Sequence, residues 1–225
     1  MDTAVHPIPL GASVAFFIVG TAGPVLVDAG LPGTEWRVWT ALRRHRCRPQ
    51  DLCGIVLTHA HFDHCGNLAA LLQESKAPLA AHPQAAVRLR GEAVPLPAGR
   101  TLRGRMMAAF FRLFSERLRM PAVPVGRALA DGESLADWGL PAEVLYTPGH
   151  TADSLTLLLA GGVALVGDLL TQQGRRAGPQ PYFVEDDAAL AQSLERLQER
   201  RPQVVYTGHS TRPLVPVWPV PLRRS

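Results

Sequence analysis

The stretch Thr58-His-Ala-His-Phe-Asp-His-Cys-Gly-Asn67 sets three imidazoles and a carboxylate within six positions. It follows the short apolar run Cys53 to Leu57, which reads as a buried strand, so the cluster sits at a strand's C-terminal end. Packing does not account for such a density of ionisable groups. His59 and His61, two apart in an extended loop, can converge on one tetrahedral ion, while Asp63 and His64 at the start of the next helix point to a neighbouring position. Imidazole and carboxylate donors without thiolate suit zinc first, with manganese, iron or cobalt as substitutes. Four residues do not close two sites.

Three later segments supply further donors: Thr147-Pro-Gly-His150-Thr151, Val166-Gly-Asp168 and Tyr206-Thr-Gly-His209-Ser210, each at the end of a β-type run. Taken singly, a Gly-His or Gly-Asp pair is an ordinary turn. Taken together, in this order and this setting, they are not a weak signal.

The rest of the chain frames these segments. Ser13 to Val19 and Pro24 to Asp28 are apolar and β-branched and flank the turn Gly20 to Gly23, a hairpin signal. Thr34 to Arg46 has helical spacing, with Trp36, Trp39 and Leu42 on or near one face. A helix is expected from Gly66 to Ser75, a strand from Lys76 to Ala81 and a short helix from Pro83 to Arg90. Glu143 to Tyr146, Ser154 to Leu159 and Val163 to Val166 read as strands, the last two joined at Gly161-Gly162, and Asp186 to Arg201 as a helix before a final strand, Gln203 to Tyr206. Between residues 91 and 127 lies a basic amphipathic stretch, Thr101 to Arg119, expected to pack its apolar face on the core or to form a helical lid. Residues 212–225, with Pro213, Pro216, Pro219 and Pro221, are expected to lie extended on the surface. Two β-rich halves with helices and no strict βαβ alternation predict a single α+β domain over residues 1–225, a sheet-on-sheet sandwich covered by helices.

Composition removes several classes of function. The formal charge is +4, yet 22 of the 23 basic residues are arginines scattered along the chain, and no run is dense enough for a nucleic-acid stripe. Cys47, Cys53 and Cys65 have no paired spacing, which fits a reducing cytoplasm better than a secreted disulfide framework. The apolar run at residues 13–19 lacks a basic leader, and no stretch reaches the roughly 18 apolar residues of a membrane span. The expected partner is a small-molecule substrate, the expected state a monomer or homodimer.

The order H-x-H-x-D-H, Gly-His, Gly-Asp and Gly-His resembles the signature of the metallo-β-lactamase superfamily, whose first element, an Asp after an apolar strand, matches Val25-Leu-Val-Asp28-Ala-Gly30. The resemblance implies a four-layer αββα sandwich with the metals at one edge between the sheets. It implies two zinc ions, one held by His59, His61 and His150, the other by Asp63, His64 and His209, with Asp168 bridging and Asp28 orienting the ligand loop. Two divalent ions sharing a water lower its pKa toward neutrality and supply hydroxide as the attacking group, which Asp63 can orient or relieve of its proton. Cys65 is expected to pack as a small buried side chain. An Asp at the bridging position is similar to the glyoxalase II and lactonase branches and speaks against β-lactamase activity, so a small ester, thioester or lactone is the expected substrate. Two departures matter. Lactonases of this kind carry a Tyr where this chain has Thr171, with Tyr182 as a substitute hydroxyl, and the C-terminal glutathione-binding domain of glyoxalase II is missing after His209. Phosphodiester hydrolysis and a mononuclear iron persulfide dioxygenase activity are the alternatives. His82, Phe110 and Phe111 join Thr171 and Tyr182 as candidate pocket residues.

Overall fold

The computed structural model describes residues 4–91, 99–114, 120–174, 176–179 and 182–220. Six strands build the first sheet in chain order: β1 (Val5–Pro9), β2 (Val14–Val19), β3 (Pro24–Val27), β4 (Gly54–Val56), β5 (Leu79–Ala81) and β6 (Arg127–Ala128). The first three pair antiparallel and the remaining ladders are parallel. The second sheet has four strands, β7 (Ala142–Tyr146), β8 (Leu155–Leu159), β9 (Val163–Leu165) and β12 (Val204–Tyr206), in the order β12-β9-β8-β7. A third, small sheet joins β10 (Leu170–Gln173), β11 (Arg176–Pro179) and β13 (Val215–Pro216).

Alternation along the strands sorts their side chains into three cores, because successive residues face opposite sides of a pleated sheet. Phe16, Ile18, Val25 and Val27 point inward with Val144, Leu157 and Leu165 of the opposing sheet, forming the central core. Ala15, Phe17 and Leu26 point outward, where they meet Val38 and Leu42 of helix α1 (Glu35–Arg44) and Leu68 and Leu71 of helix α3 (Leu68–Ser75). Leu145, Ala164 and Val205 face Leu190, Leu194 and Leu197 of helix α6 (Asp187–Arg200), whose start is capped by the Asp186 carboxylate accepting from the amides of Ala188 and Ala189. Helix, sheet, sheet, helix: the four layers are those of an α+β sandwich.

Four features depart from the sequence expectations. Strand β1 is built despite Pro7 and Pro9; it is an edge strand, where a missing N–H need not break a ladder. Trp36 is 55% exposed, and Val38 takes the buried position expected of it on α1. Residues 212–220 are extended but not loose on the surface: Leu214 and Val220 are buried in the α6 core, Leu214 exchanges backbone hydrogen bonds with Val205 at 2.8 and 2.9 Å, and β13 runs parallel to β11, while 221–225 lie outside the described residues. Helix α5 (Leu102–Phe114) turns Leu102, Met106 and Leu113 outward, at 77%, 66% and 83% exposed, while Met107 packs inward beside Ala108. Its inward face is the one made of Gly104 and Ala108, because small residues let the helix backbone approach a neighbouring loop: a β-carbon on Gly104 would lie 3.0 Å from the carbonyl oxygen of Tyr182.

Candidate metal centre

The donor-bearing segments emerge at one edge between the two sheets. From the first sheet come Asp28, after β3, and the run beginning at Thr58, after β4; helix α2 (Phe62–Cys65) starts inside that run and presents Asp63 and His64. From the second sheet come His150 after β7, Asp168 after β9 and His209 after β12. Backbone contacts hold the two edges together, Leu155 N donating to Thr58 O at 2.8 Å and Val14 N to Gly208 O at 2.8 Å, while Gly208 N donates to Gly167 O at 2.8 Å within the second sheet.

All seven candidate donors fall into three overlapping groups, each with its ligand atoms within 4.8 Å of one another: His59 with His61 and His150, His59 with His64 and Asp168, and Asp63 with His64 and His209. In the first group, His61 Nδ1 lies 3.1 Å from His59 Nε2 and 3.0 Å from His150 Nε2. Asp168 stands between the groups, with Oδ1 3.6 Å from His64 Nε2 and Oδ2 3.6 Å from His150 Nε2 and 3.0 Å from His209 Nε2. Asp63 Oδ2 is 3.9 Å from His64 Nε2 and 3.8 Å from His209 Nε2. The His59, His61 and His150 side is buried, whereas Asp63 and His209 are partly exposed, so the centre opens to solvent on their side.

Outward-facing nitrogens fix the rings. His64 Nδ1 is 2.8 Å from Asp28 Oδ2, His150 Nδ1 2.8 Å from Phe183 O, and His209 Nδ1 2.6 Å from Ala12 O; each acceptor places the proton on Nδ1 and turns the Nε2 lone pair inward. His59 Nδ1 lies 3.1 Å from Thr58 Oγ1, whose hydroxyl donates to Asp28. One buried carboxylate thus orients His64 directly and His59 through a hydroxyl. Asp28 sits at φ +64°, a left-handed conformation that Asp tolerates better than most residues.

A polar atom left over inside this shell fits a cation. His64 Nε2, which faces the centre, is buried with no hydrogen-bond partner, an arrangement that is costly unless something else satisfies it. Gly208 keeps the space open: a β-carbon there would lie 2.5 Å from His64 Cε1 and 2.6 Å from Asp168 Oδ1. Gly208→Ala is therefore expected to lower metal content and turnover together while the melting temperature changes little, as measured by elemental analysis and thermal unfolding; full metal content in this variant would contradict the cradle.

Charge is divided unevenly across the centre. Burial pushes the pKa values of His59 and His61 well below 6.5, helped by the neighbouring imidazoles, and lowers that of His150. Burial also opposes charge on His64 and His209, but Asp28 and Asp63 around the first, and Asp168 and Asp63 beside the second, outweigh it and raise them to about 9 and about 10. Against its own burial, the Asp168 carboxyl is held well below the usual range by His209, His64 and His150. In the metal-free chain His64 and His209 contribute stability that is fully present below pH 6.5 and lost as pH rises through about 9 and 10. His59, His61 and His150 oppose folding as pH falls below 6.5, since the unfolded chain then binds protons that the folded chain refuses; the Asp168 contribution is lost as pH falls below 3.8. Melting temperatures of the EDTA-treated chain are thus expected to decline on both sides of neutrality, and a flat profile between about pH 5 and pH 10 would refute this assignment of charge.

The candidate pocket residues are placed unevenly. Tyr182 packs with Phe62, Met107, Ala108 and Phe183, beside the ligand loop, and the Arg103 guanidinium lies 5.6 Å over its ring. Phe110 is on the exposed face of α5, and the Phe111 side chain lies outside the described residues. Thr171 is half-buried on β10, opposite Gly178. His82 stacks flat on Tyr146, with ring centroids 4.2 Å apart, and Tyr146 Oη donates to Ala152 O, two residues past His150. Cys65 is buried with Sγ 3.7 Å from Met120 Sδ, and burial pushes its thiol pKa up, the state of an inert packing residue. Sequence reasoning missed Thr58, Arg88, Asp153 and Glu185; of these only Thr58 carried a local signal, as the residue directly before His59.

Comparison with known proteins adds three findings. Residues 8–209 match the metallo-beta-lactamase superfamily. The chain is 27% identical over 219 residues to the probable metallo-hydrolase YflN of Bacillus subtilis, covering 91% of this chain and 83% of that protein, and 26% identical over 218 residues to an N-acyl homoserine lactonase of Bacillus cereus, covering 83% and 76%. Among solved structures it is similar to the BLEG-1 B3 metallo-beta-lactamase, with a TM-score of 0.73, 25% identity and 94% of each chain covered. Among the described residues no helix is long and apolar enough to cross a membrane.

Proposed function

The chain belongs to the metallo-beta-lactamase superfamily, and on that premise we propose that it is a two-metal hydrolase of a small carboxylic ester, thioester or lactone. The observation that carries the reading is the position of Asp168, which lies between imidazoles of both donor sets, with Oδ1 beside His64 and Oδ2 beside both His150 and His209. His59, His61 and His150 would hold one divalent ion and Asp63, His64 and His209 the other, with Asp168 shared between them; imidazole and carboxylate donors favour zinc. When bound, such a pair supplies Lewis acidity and an acidified water at neutral pH.

The chain's own residues supply the rest. Asp63, partly exposed at the open side, is placed to take the proton of the attacking water and return it to the leaving oxygen or sulfur. The imidazoles keep their tautomers throughout, because Phe183 O, Ala12 O and Asp28 hold their outward protons. Phe62 and Phe183, packed together beside the donors, give the acyl side an apolar wall that limits water. Carbonyl substrates are favoured over phosphodiesters by the likeness to a lactonase and by the absence of a dense arginine surface in the sequence.

The test is a substrate panel run on metal-loaded and EDTA-treated protein: p-nitrophenyl esters, acyl-homoserine lactones, acyl thioesters, bis-p-nitrophenyl phosphate and nitrocefin. Carbonyl esters or lactones are expected to turn over fastest, and only in the loaded form. Preference for the phosphodiester or nitrocefin, or activity indifferent to EDTA, would overturn the proposal.

A further inference from the structure

Arg88 closes the short helix α4 (Ala85–Arg88), and its guanidinium lies between two carboxylates. Nε is 3.2 Å from Asp153 Oδ1, and Nη2 donates to both Glu185 oxygens at 2.7 Å. Neither carboxylate is a candidate metal donor, yet both hold the segments that carry donors. Asp153 Oδ2 accepts from Ala60 N at 2.8 Å, and Ala60 is the residue between His59 and His61. Glu185 Oε2 accepts from Ala152 N at 2.8 Å, and the Glu185 amide donates to Gly149 O at 2.8 Å, on either side of His150. Two residues before Glu185, Phe183 O fixes the His150 ring.

The three imidazoles of the buried group therefore arrive on two loops from opposite sheets, and the Asp153–Arg88–Glu185 chain spans both. We propose that Arg88 is a positioning residue for His59, His61 and His150, setting the spacing at which these rings accept an ion. This rests on the reading of that trio as a metal site. A guanidinium suits the task because its planar fork can engage two carboxylates at once, whereas an ammonium is a single point charge. The Asp153 side chain is fully buried, so loss of its cation leaves a carboxylate that must recruit water or move, and Ala60 moves with it. Among the described residues no comparable cation links the segments bearing Asp63, His64 and His209, which are tied by Asp28, Ser13 and Ala12: Ser13 Oγ donates to the Asp63 carbonyl, and Ala12 O holds His209.

The experiment titrates the full-length, EDTA-treated chain with zinc against a chromophoric chelator. His150→Ala and His209→Ala identify which binding step belongs to which donor set. In Arg88→Met the step lost in His150→Ala should weaken by about 10- to 100-fold, the scale of other groups that orient ligands, while the step lost in His209→Ala stays within about threefold. Arg88→Lys, which keeps the charge but not the fork, should weaken the same step, and Asp153→Asn, which keeps an acceptor for Ala60 N, should do so as well. The metal-free melting temperature of Arg88→Lys is the control for a merely structural role. Equal weakening of both steps, or wild-type binding by Arg88→Lys and Asp153→Asn, overturns the assignment of Arg88. If instead the wild-type chain takes up no zinc, or His150→Ala removes no step, the metal-site reading itself fails and the inference falls with it.

Discussion

Asp168→Ala is expected to lower hydrolysis of the best carbonyl substrate at least about a thousandfold, equivalent to ~4 kcal/mol of barrier, while the chain stays folded. Among the described residues this carboxylate is the one whose oxygens lie within 3.6 Å of imidazoles from both donor sets, so its loss removes the anion that links them. The local backbone does not depend on the side chain. The turn after β9 is held by main-chain bonds, Val166 N to Tyr206 O at 2.9 Å, Leu169 N to Val166 O at 3.1 Å and Gly208 N to Gly167 O at 2.8 Å, none of which needs the side chain. Asp168→Asn should lose activity similarly, since it keeps the shape and removes the charge. Metal analysis and steady-state kinetics on both variants check this; a tenth of wild-type activity surviving in either would sink the proposed role of Asp168.

Asp28→Ala should act through stability as well as chemistry. Asp28 accepts from Thr58 N at 2.8 Å, from the Thr58 hydroxyl and from His64 Nδ1 at 2.8 Å, all in a fully buried pocket. Removing the carboxylate leaves these donors without an acceptor, and breaking a buried charged pair of this kind costs about 3–5 kcal/mol. Alanine at φ +64° adds about 1–2 kcal/mol of backbone strain. The expected drop in melting temperature is about 10 °C or more for a domain of this size, with both of the proposed metal-binding steps weakened because His59 and His64 lose one common anchor. Asp28→Asn can still accept from Thr58 and tolerates the left-handed backbone, so its loss should be nearer 1–2 kcal/mol. A melting temperature for Asp28→Ala within 2–3 °C of wild type, a shift worth only ~1 kcal/mol, would show that the pocket relaxes around the gap.

The layered fold and the convergence of the seven donor candidates were both legible in the sequence, for a physical reason. Continuous apolar runs in β2 and β3 state that both of their faces are buried, and a polar residue type placed at the end of a buried strand has nowhere to go but the sheet edge. What was hidden depended on partners distant in the chain. Strand β1 was masked by its prolines and exists because β2 offers an edge. Strands β10, β11 and β13 carry Gln172, Arg176 and Pro216, and their pairing is imposed by neighbours, with no apolar alternation to announce it. The periodicity of α5 revealed an apolar face but not its direction, which was decided by the close approach that Gly104 permits. Arg88 and Asp153 meet only after both sheets are docked, so neither had a local pattern to betray it.

The Gly208 peptide, which donates to Gly167 at the end of β9 and accepts from Val14 at the start of β2, gives the centre a place in time as well as in space. During synthesis the first sheet and the His59 to His64 run leave the ribosome early, but His209 and the stitch beside it emerge only after α6. A nascent chain halted before β12 would carry the other donors but lack His209 and the contacts made by Gly208, so the set would be incomplete. Metal capture is therefore a report on the completed molecule: an ion bound at full strength certifies that both sheets have closed, and a chaperone-held or truncated chain would be recognisable by weak, incomplete loading.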